Sequence, residues 1–257
     1  MQRTLYGFWA SPFMSFAAQV LLEADLPFEY QRVSPFNGDV YQADHQSRNS
    51  LGKIPSLMEP DGFTISESQA IARYLARTYP SAKAIYPIDN AKACAEIDTL
   101  NDFLTFSISG PVFNWLVVGG YFPQALQFKC ADESEIFAKL SMIRVRDSID
   151  RMLGTAKMTP FMLGDTTTMP DFQLYQILEA GKTFGAMFDM PALDLAAWDE
   201  RLASLYAAIS QMESSKKIAT WQKEELPVTR KEIFEQFPNV LGPVIRDGLS
   251  TVLGHQV

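Results

Sequence analysis

Gly52-Lys53-Ile54-Pro55-Ser56-Leu57-Met58, then Glu59-Pro60-Asp61-Gly62, then Phe63-Thr64-Ile65, is the stretch on which the fold turns. Two short apolar runs around Pro-Asp-Gly read as a β-hairpin, because Asp offers a local side-chain bond and Gly the backbone freedom of a tight reversal. Directly after it, Ser66-Glu67-Ser68-Gln69 has the S-x-x-Q spacing of a capping box, ahead of Ile71, Tyr74, Leu75 and Thr78 on one helical face. Upstream, Thr4 to Trp9 is a β-rich run, and Phe13, Phe16, Ala17, Val20 and Leu21 follow at helical spacing. That helix ends at Asp25-Leu26-Pro27, since proline disfavours helix at the residue before it, and Phe28 to Val33 alternates as a second strand. Strand, helix, strand implies a parallel pair with a right-handed crossover. The polar stretch Asn37 to Ser50 is weakly periodic and is expected to hold a short helix or loop.

Working outward, Tyr79 to Asn90 contains two prolines and no clear period, which makes it the linker candidate. Beyond it strand signals vanish. Met142, Val145, Ile149, Met152 and Leu153 form one helical stripe, and Trp198, Leu202, Leu205, Tyr206 and Ile209 another. Thr168-Met169-Pro170-Asp171 reads as a further helix start, with proline in the first turn, where its missing N–H costs nothing. The expectation is an α+β chain of two domains: a βαβαββα domain over residues 1–80, a linker over 81–90 and an all-helical domain over 91–257.

The chain has 257 residues, 47% of them apolar and 20% charged, the composition of a folded protein. Twenty-two basic against 30 acidic residues give a net charge of −8, so no basic field exists to hold nucleic acid or an anionic membrane. The two cysteines, Cys94 and Cys130, form no CxxC pair, and the two histidines, His45 and His255, leave little for a Ser/His/Asp triad or a multi-histidine metal site. No metal is expected. The start, Met1-Gln2-Arg3-Thr4, leads into a short strand and not into a secretory signal, and no run approaches the roughly 18 apolar residues of a membrane span. A cytoplasmic protein with no nucleic-acid or membrane partner is expected.

Three places could carry chemistry. Ser11 stands where strand one gives way to helix one, and a helix N-terminus offers unpaired N–H groups and a positive dipole end to an anion such as a thiolate. The same serine is equally at home as a plain N-cap. In Gly52-Lys53-Ile54-Pro55, a cis Ile54-Pro55 bond would turn the Ile54 backbone outward at a sheet edge to pair with a peptide-like ligand, whereas a trans bond would leave an ordinary turn. Glu67 and Ser68, in the first turn of a helix, suit the ammonium and carboxylate of an α-amino acid, and ordinary capping explains the same letters.

These sites, in this order, resemble the glutathione transferase superfamily over nearly the whole chain. Asn49-Ser50-Leu51-Gly52-Lys53-Ile54-Pro55-Ser56-Leu57 looks like the family's N-P-x-G-K-[VI]-P-x-L segment with its cis proline, and Ile65-Ser66-Glu67-Ser68-Gln69-Ala70-Ile71 like its [LI]-x-E-S-x-A-I segment. Leu163-Gly164-Asp165 through Thr168-Met169-Pro170-Asp171-Phe172 looks like the G-x-x-x-[ST]-x-A-D capping box of its helical domain. The resemblance implies a thioredoxin-like N-terminal domain, glutathione as substrate or cofactor, a homodimer and a small hydrophobic electrophile as second partner. It implies that Glu67 and Ser68 hold the γ-glutamyl head, that the Ile54 backbone pairs with the cysteinyl backbone, that Lys53 approaches the glycyl carboxylate and that Ser11 donates to the sulfur.

A free thiol titrates near 8.5, so lowering it by about two units stabilises the anion by about 2.7 kcal/mol. Relatives with a tyrosine donor place it just after a strand-one glycine, but here Gly7 is followed by Phe8, and strand alternation points Tyr6 the other way. The resemblance is therefore to serine-type members, and the cysteine-using redox classes are excluded because no cysteine lies near helix one. Transfer of glutathione to an apolar electrophile is the implied activity, with a glutathione-dependent isomerase or dehalogenase, or a glutathione- or protein-binding member without turnover, as alternatives. Departures from the pattern are Ser50 for proline, Pro170 for a small residue, and no basic residue early in helix one, where Ser15 remains a spare hydroxyl. The electrophile's pocket is expected between the domains, where Phe13 and Met14 would meet Phe103, Phe106, Ser107 and Phe113, and the tail residues Phe234 and Phe237 would cover it or pad the surface.

Overall fold

A computed structural model of the chain describes residues 2–126, 132–156 and 158–240. Cys130, His255 and the last part of the tail, 241–257, lie outside the described residues. Strand β1 (Thr4–Gly7), helix α1 (Pro12–Glu23), strand β2 (Glu29–Arg32), helix α2 (Ala43–Arg48), strands β3 (Ser56–Met58) and β4 (Thr64–Ser66) and helix α3 (Ser68–Thr78) follow in the expected order. They form one four-stranded sheet in the order β2-β1-β3-β4. β1 and β2 are parallel, with Thr4 opposite Glu29 and Gly7 opposite Arg32, while β3 runs antiparallel to both neighbours. The hairpin turn is the one the sequence announces: Gly62 takes φ +90, and Phe63 N–H donates to Asp61 Oδ1 at 2.9 Å.

Past residue 78 the regular structure of the described residues is helical apart from a single bridge between Phe161 and Gly164. Helices α4 (Ala91–Phe103), α5 (Gly110–Leu116), α6 (Asp132–Thr155), α7 (Met169–Met187), α8 (Glu200–Ser210), α9 (Glu213–Lys231) and α10 (Phe237–Val240) build a thioredoxin-like domain's helical partner. Both expected stripes face the core: Val145, Ile149, Met152 and Leu153 on α6, and Leu202, Leu205 and Ile209 on α8, are buried, with Met142, Trp198 and Tyr206 half-buried against them. The stretch Ala91–Ala125 is long and apolar enough, by length and composition, to cross a membrane. In the fold it is a wall of the helical layer, with Ile97, Leu104, Ile108, Leu116 and Tyr121 buried.

α1 joins the two halves. Met14, Ala17, Ala18, Val20 and Leu21 have no exposed surface, which is why a helix with so few charges suits this position. Its one buried amide, Gln19, is satisfied across the junction, donating to Ser215 Oγ at 2.9 Å and accepting from Gln176 Nε2 at 2.8 Å. The start of α7 also behaves as its letters say. Asp171 is fully buried and accepts from the N–H groups of Met162 (2.7 Å) and Thr168 (2.8 Å) and from the Thr168 hydroxyl (2.9 Å).

Ser66, expected to open a capping box, does not cap α3, because it is still in β4, paired with Ser56. The helix begins two residues later, at Ser68, and the residue before it, Glu67, is turned to φ +69. A capping box needs its first residue at the N-cap; here the sheet ladder holds Ser66 extended instead.

Candidate functional site

Sheet register brings the three candidate segments to one end of the sheet. Tyr6 lies opposite Ser56, and Ser56 opposite Ser66. Extending those ladders by two residues sets Ile54 opposite Phe8 on one side and Ser68 on the other. By then one flanking chain has left the sheet in the turn before α1 and the other has entered α3, so among the described residues nothing bonds to the Ile54 main chain. The outward-facing backbone expected at a sheet edge is therefore found at the end of an interior strand. The Ile54-Pro55 bond is cis. The Lys53 carbonyl just before it is held by Asn49 Nδ2 at 2.8 Å and His45 Nε2 at 2.9 Å. A carbonyl only accepts, so His45 carries its proton on Nε2.

Ser11 is the N-cap of α1, with extended φ/ψ, and its Oγ accepts from Met14 N–H at 3.4 Å. No described group accepts from its hydroxyl. Pro12 has no N–H to offer and the Phe13 N–H is an orphan of the first turn, so the cap presents a free O–H and a dipole end in one place. Ser15, the spare hydroxyl, is fully buried and occupied: it donates to Trp9 O at 2.9 Å and accepts from Gln222 Nε2 at 3.2 Å. Tyr6 packs with Val33 and Val40 in a separate small cluster, under the Arg48 guanidinium at 4.2 Å, and does not line the cleft.

Ser11, Lys53 and Ile54 open onto one cavity of about 550 Å³ between the sheet and the helices. Phe8, Phe13 and Phe36 line it from the sheet side, and Phe113, Phe184 and Phe237 from the helical side. Glu67 and Ser68 do not line it; Glu67 is exposed and Ser68 buried at the adjoining sheet end. Glu67's positive φ is uncommon for a residue with a side chain, and such strain clusters at ligand sites.

Of the aromatic residues assigned to the cleft, Phe13 and Phe113 line it and Phe106 does not: it is 76% exposed. Met14 is in the core, and neither Phe103 nor Ser107 faces the cavity. Phe106 and Ser107 lie inside the π-helical stretch Leu104–Ser109, whose wider turns depart from a 3.6-residue count, while Phe113 beyond it faces the cavity. Phe237, by contrast, does close the cleft, edge-on to Phe36 with ring centres 5.4 Å apart. Phe234 packs beside it against Phe188, 5.5 Å between centres.

The cleft's rear support is missing from the sequence reading altogether. Glu232 accepts from Arg32 at 2.6 and 2.7 Å and from Ser34 Oγ at 2.7 Å, and Glu225 bonds the Tyr30 hydroxyl and pairs with Arg32 at 3.3 Å. Burial opposes the Arg32 charge, but the two carboxylates outweigh it and hold its pKa above the usual value. Burial first, and then Glu225, push Tyr30 far up, so it stays a neutral donor. The only local signal was spacing: Trp221, Gln222, Glu225, Thr229 and Glu232 share one helical face. Among the described residues no cluster of His, Cys, Asp and Glu is arranged to hold a metal ion.

Two family models match this chain: "Glutathione S-transferase, N-terminal domain" over residues 1–77 and "Glutathione S-transferase, C-terminal domain" over residues 120–225. Glutathione S-transferase 4 of Zea mays is 40% identical over 75 residues, 29% of this chain and 33% of its own. The match thus spans about a third of that relative's length. The dichloromethane dehalogenase of Methylorubrum extorquens is 25% identical over 86% of this chain and 75% of its own. Among solved structures, human glutathione S-transferase T1-1 in its apo form superposes with a TM-score of 0.75 at 18% identity, covering 95% of this chain and 98% of the other.

Proposed function

This chain belongs to the glutathione S-transferase superfamily, and on that premise we propose that it activates glutathione as its thiolate and transfers it to an apolar electrophile. The observation that carries this reading is the single cleft in which a free hydroxyl at a helix N-terminus and an unpaired stretch of main chain share a wall with a large aromatic cavity. Ser11 donates to the sulfur. The Ile54 main chain pairs with the cysteinyl unit, Lys53 meets the glycyl carboxylate, and Glu67 with Ser68 takes the γ-glutamyl ammonium and carboxylate at the adjoining sheet end.

The electrophile rests among Phe13, Phe113 and their neighbours. The thiolate attacks its carbon, a C–S bond forms, and a halide or similar group leaves with the bonding pair. In conjugate addition the pair instead moves to the adjacent carbon and takes a proton from water. Two reactants held together and one ionised thiol supply the rate. A cytoplasmic setting, where thiols stay reduced, and the homodimeric state implied by the family resemblance complete the proposal; sedimentation at twice the chain mass checks the latter.

The test is glutathione-dependent conversion of a chromogenic aryl halide, read as absorbance of the conjugate. Saturable turnover supports the proposal, and glutathione binding without turnover leaves only a binding member of the family. The broad match to a dichloromethane dehalogenase favours one further trial: halide release from a small dihaloalkane with no conjugate accumulating would make glutathione a recycled cofactor. Glu67→Ala is expected to weaken glutathione binding about tenfold in calorimetric titration, the scale of one lost charge-assisted bond. An unchanged dissociation constant would remove Glu67 from the head-group site.

A further inference from the structure

The turn that delivers Ser11 has left the sheet, so the main-chain polar groups of Trp9, two residues before it, have no ladder partner. Trp9 is nonetheless almost fully buried. Its N–H donates to Glu225 Oε1 at 2.9 Å, and its carbonyl accepts from Gln222 Nε2 at 3.2 Å and from Ser15 Oγ at 2.9 Å. Its ring stacks on Trp221, with centres 4.6 Å apart, and meets Tyr30 at 4.8 Å. Three of these partners, Trp221, Gln222 and Glu225, lie on α9, more than two hundred positions away in sequence. Glu225 is itself fixed by the Tyr30 hydroxyl and by Arg32, which offsets its charge. From Trp9 the chain reaches Ser11 through one tight turn, closed by Ser11 N–H on Phe8 O at 3.1 Å.

We propose that Glu225 and Gln222 are positioning residues for Ser11, the α9 helix acting through Trp9 to hold the sulfur-facing hydroxyl in place. The inference rests on the reading of Ser11 as the sulfur's donor and deepens it. The burial-trapped Trp9 N–H binds the turn to α9 more tightly than packing would, because leaving it unpaired carries the full desolvation cost, whereas the carbonyl keeps Ser15 Oγ if Gln222 is lost. Once the N–H is unpaired, the turn relaxes outward for water, and Ser11 moves with it. A displacement of about 1 Å at a reacting group is enough to cost up to roughly a hundredfold in rate.

The experiment compares wild type, Ser11→Ala, Glu225→Ala, Glu225→Gln and Gln222→Ala. For each, kcat and KM with the aryl halide, the pH profile of kcat/KM, and the ultraviolet absorbance of the bound thiolate are measured alongside thermal unfolding. We expect Glu225→Ala to lower kcat about tenfold and raise the bound-thiol pKa by about one unit, and Gln222→Ala, which leaves the Trp9 carbonyl its Ser15 bond, to shift both in the same direction with kcat down about threefold, the glutathione KM staying within about threefold in each. Glu225→Gln, which keeps an acceptor for the Trp9 N–H, should stay within about threefold of wild type. Unchanged kcat and thiol pKa in Glu225→Ala, or in Gln222→Ala should the first variant not fold, overturn the inference even where thermal stability falls. That result, together with a lowered thiol pKa in wild type that Ser11→Ala abolishes, leaves the Ser11 reading standing. A wild type with no lowered thiol pKa overturns both.

Discussion

Replacing Ser11 with alanine is expected to cut turnover at pH 7 by roughly twentyfold, with glutathione affinity held within a few fold. The magnitude follows from thiol chemistry: a bound thiol titrating near 6.5 is about three-quarters ionised at pH 7, and one returned to 8.5 is about 3% ionised. Affinity is spared because the tripeptide is held mostly through its backbone and its two charged ends, away from the hydroxyl. The sign of the pH effect is equally definite. A wild-type rate that levels off above about pH 6.5 should, in the variant, keep climbing to about pH 8.5, because the thiolate then has to be made by the solvent. The N-cap itself is a small loss, since the 3.4 Å bond to Met14 is long. Equal turnover in the two proteins would take Ser11 out of the chemistry and leave the helix dipole as the only stabilising group at that spot.

The second large effect is on stability, at a residue that does not line the cleft. Asp171→Ala should lower the unfolding free energy by about 3–5 kcal/mol, because it strands buried donors that one carboxylate satisfies together. The Met162 and Thr168 N–H groups and the Thr168 hydroxyl all point at Asp171, which has no exposed surface. Burial raises its pKa and these hydrogen bonds pull it back, so the net shift is upward, and the donors limit what burial would otherwise do. For a chain of this size the loss corresponds to a fall in melting temperature of roughly 6–20 °C, read by circular dichroism. Asp171→Asn, which keeps one acceptor oxygen, should lose less than the alanine variant. A drop below about 1 kcal/mol in Asp171→Ala would mean that water replaces the carboxylate and that the loop from Met162 to Thr168 is not tied to α7 through it.

Glu225 shows where the limit of sequence reading lies. Apart from the helical spacing it shares with Trp221 and Gln222, nothing near it in the chain distinguishes it from Glu224, yet one lies on the face that grips Trp9 and the other does not meet that turn. Phe106 and Phe237 make the same point from opposite sides. By composition both were fair candidates for the cleft, yet Phe106, inside the π-helical turns at Leu104–Ser109, is exposed, and Phe237, just past those at Glu232–Gln236, lines the cavity. Ser66 and Ser68 differ only in whether the sheet ladder has ended.

What the amino-acid order settled unaided were the features that a few neighbouring residues decide among themselves: the strand and helix periods, the Pro-Asp-Gly reversal, the Thr168-to-Asp171 helix start and the placing of Ser11 at a strand-to-helix junction. These depend on φ/ψ preference, capping and alternation, all of which act within about one turn of chain. Only the packed structure decided that α9 returns to hold the Ser11 turn, that Ser15 is used internally and that the cavity is lined by Phe36, Phe184 and Phe237. Such contacts join residues far apart in sequence, and their direction is set by how helices are rotated and stacked, which no local preference encodes.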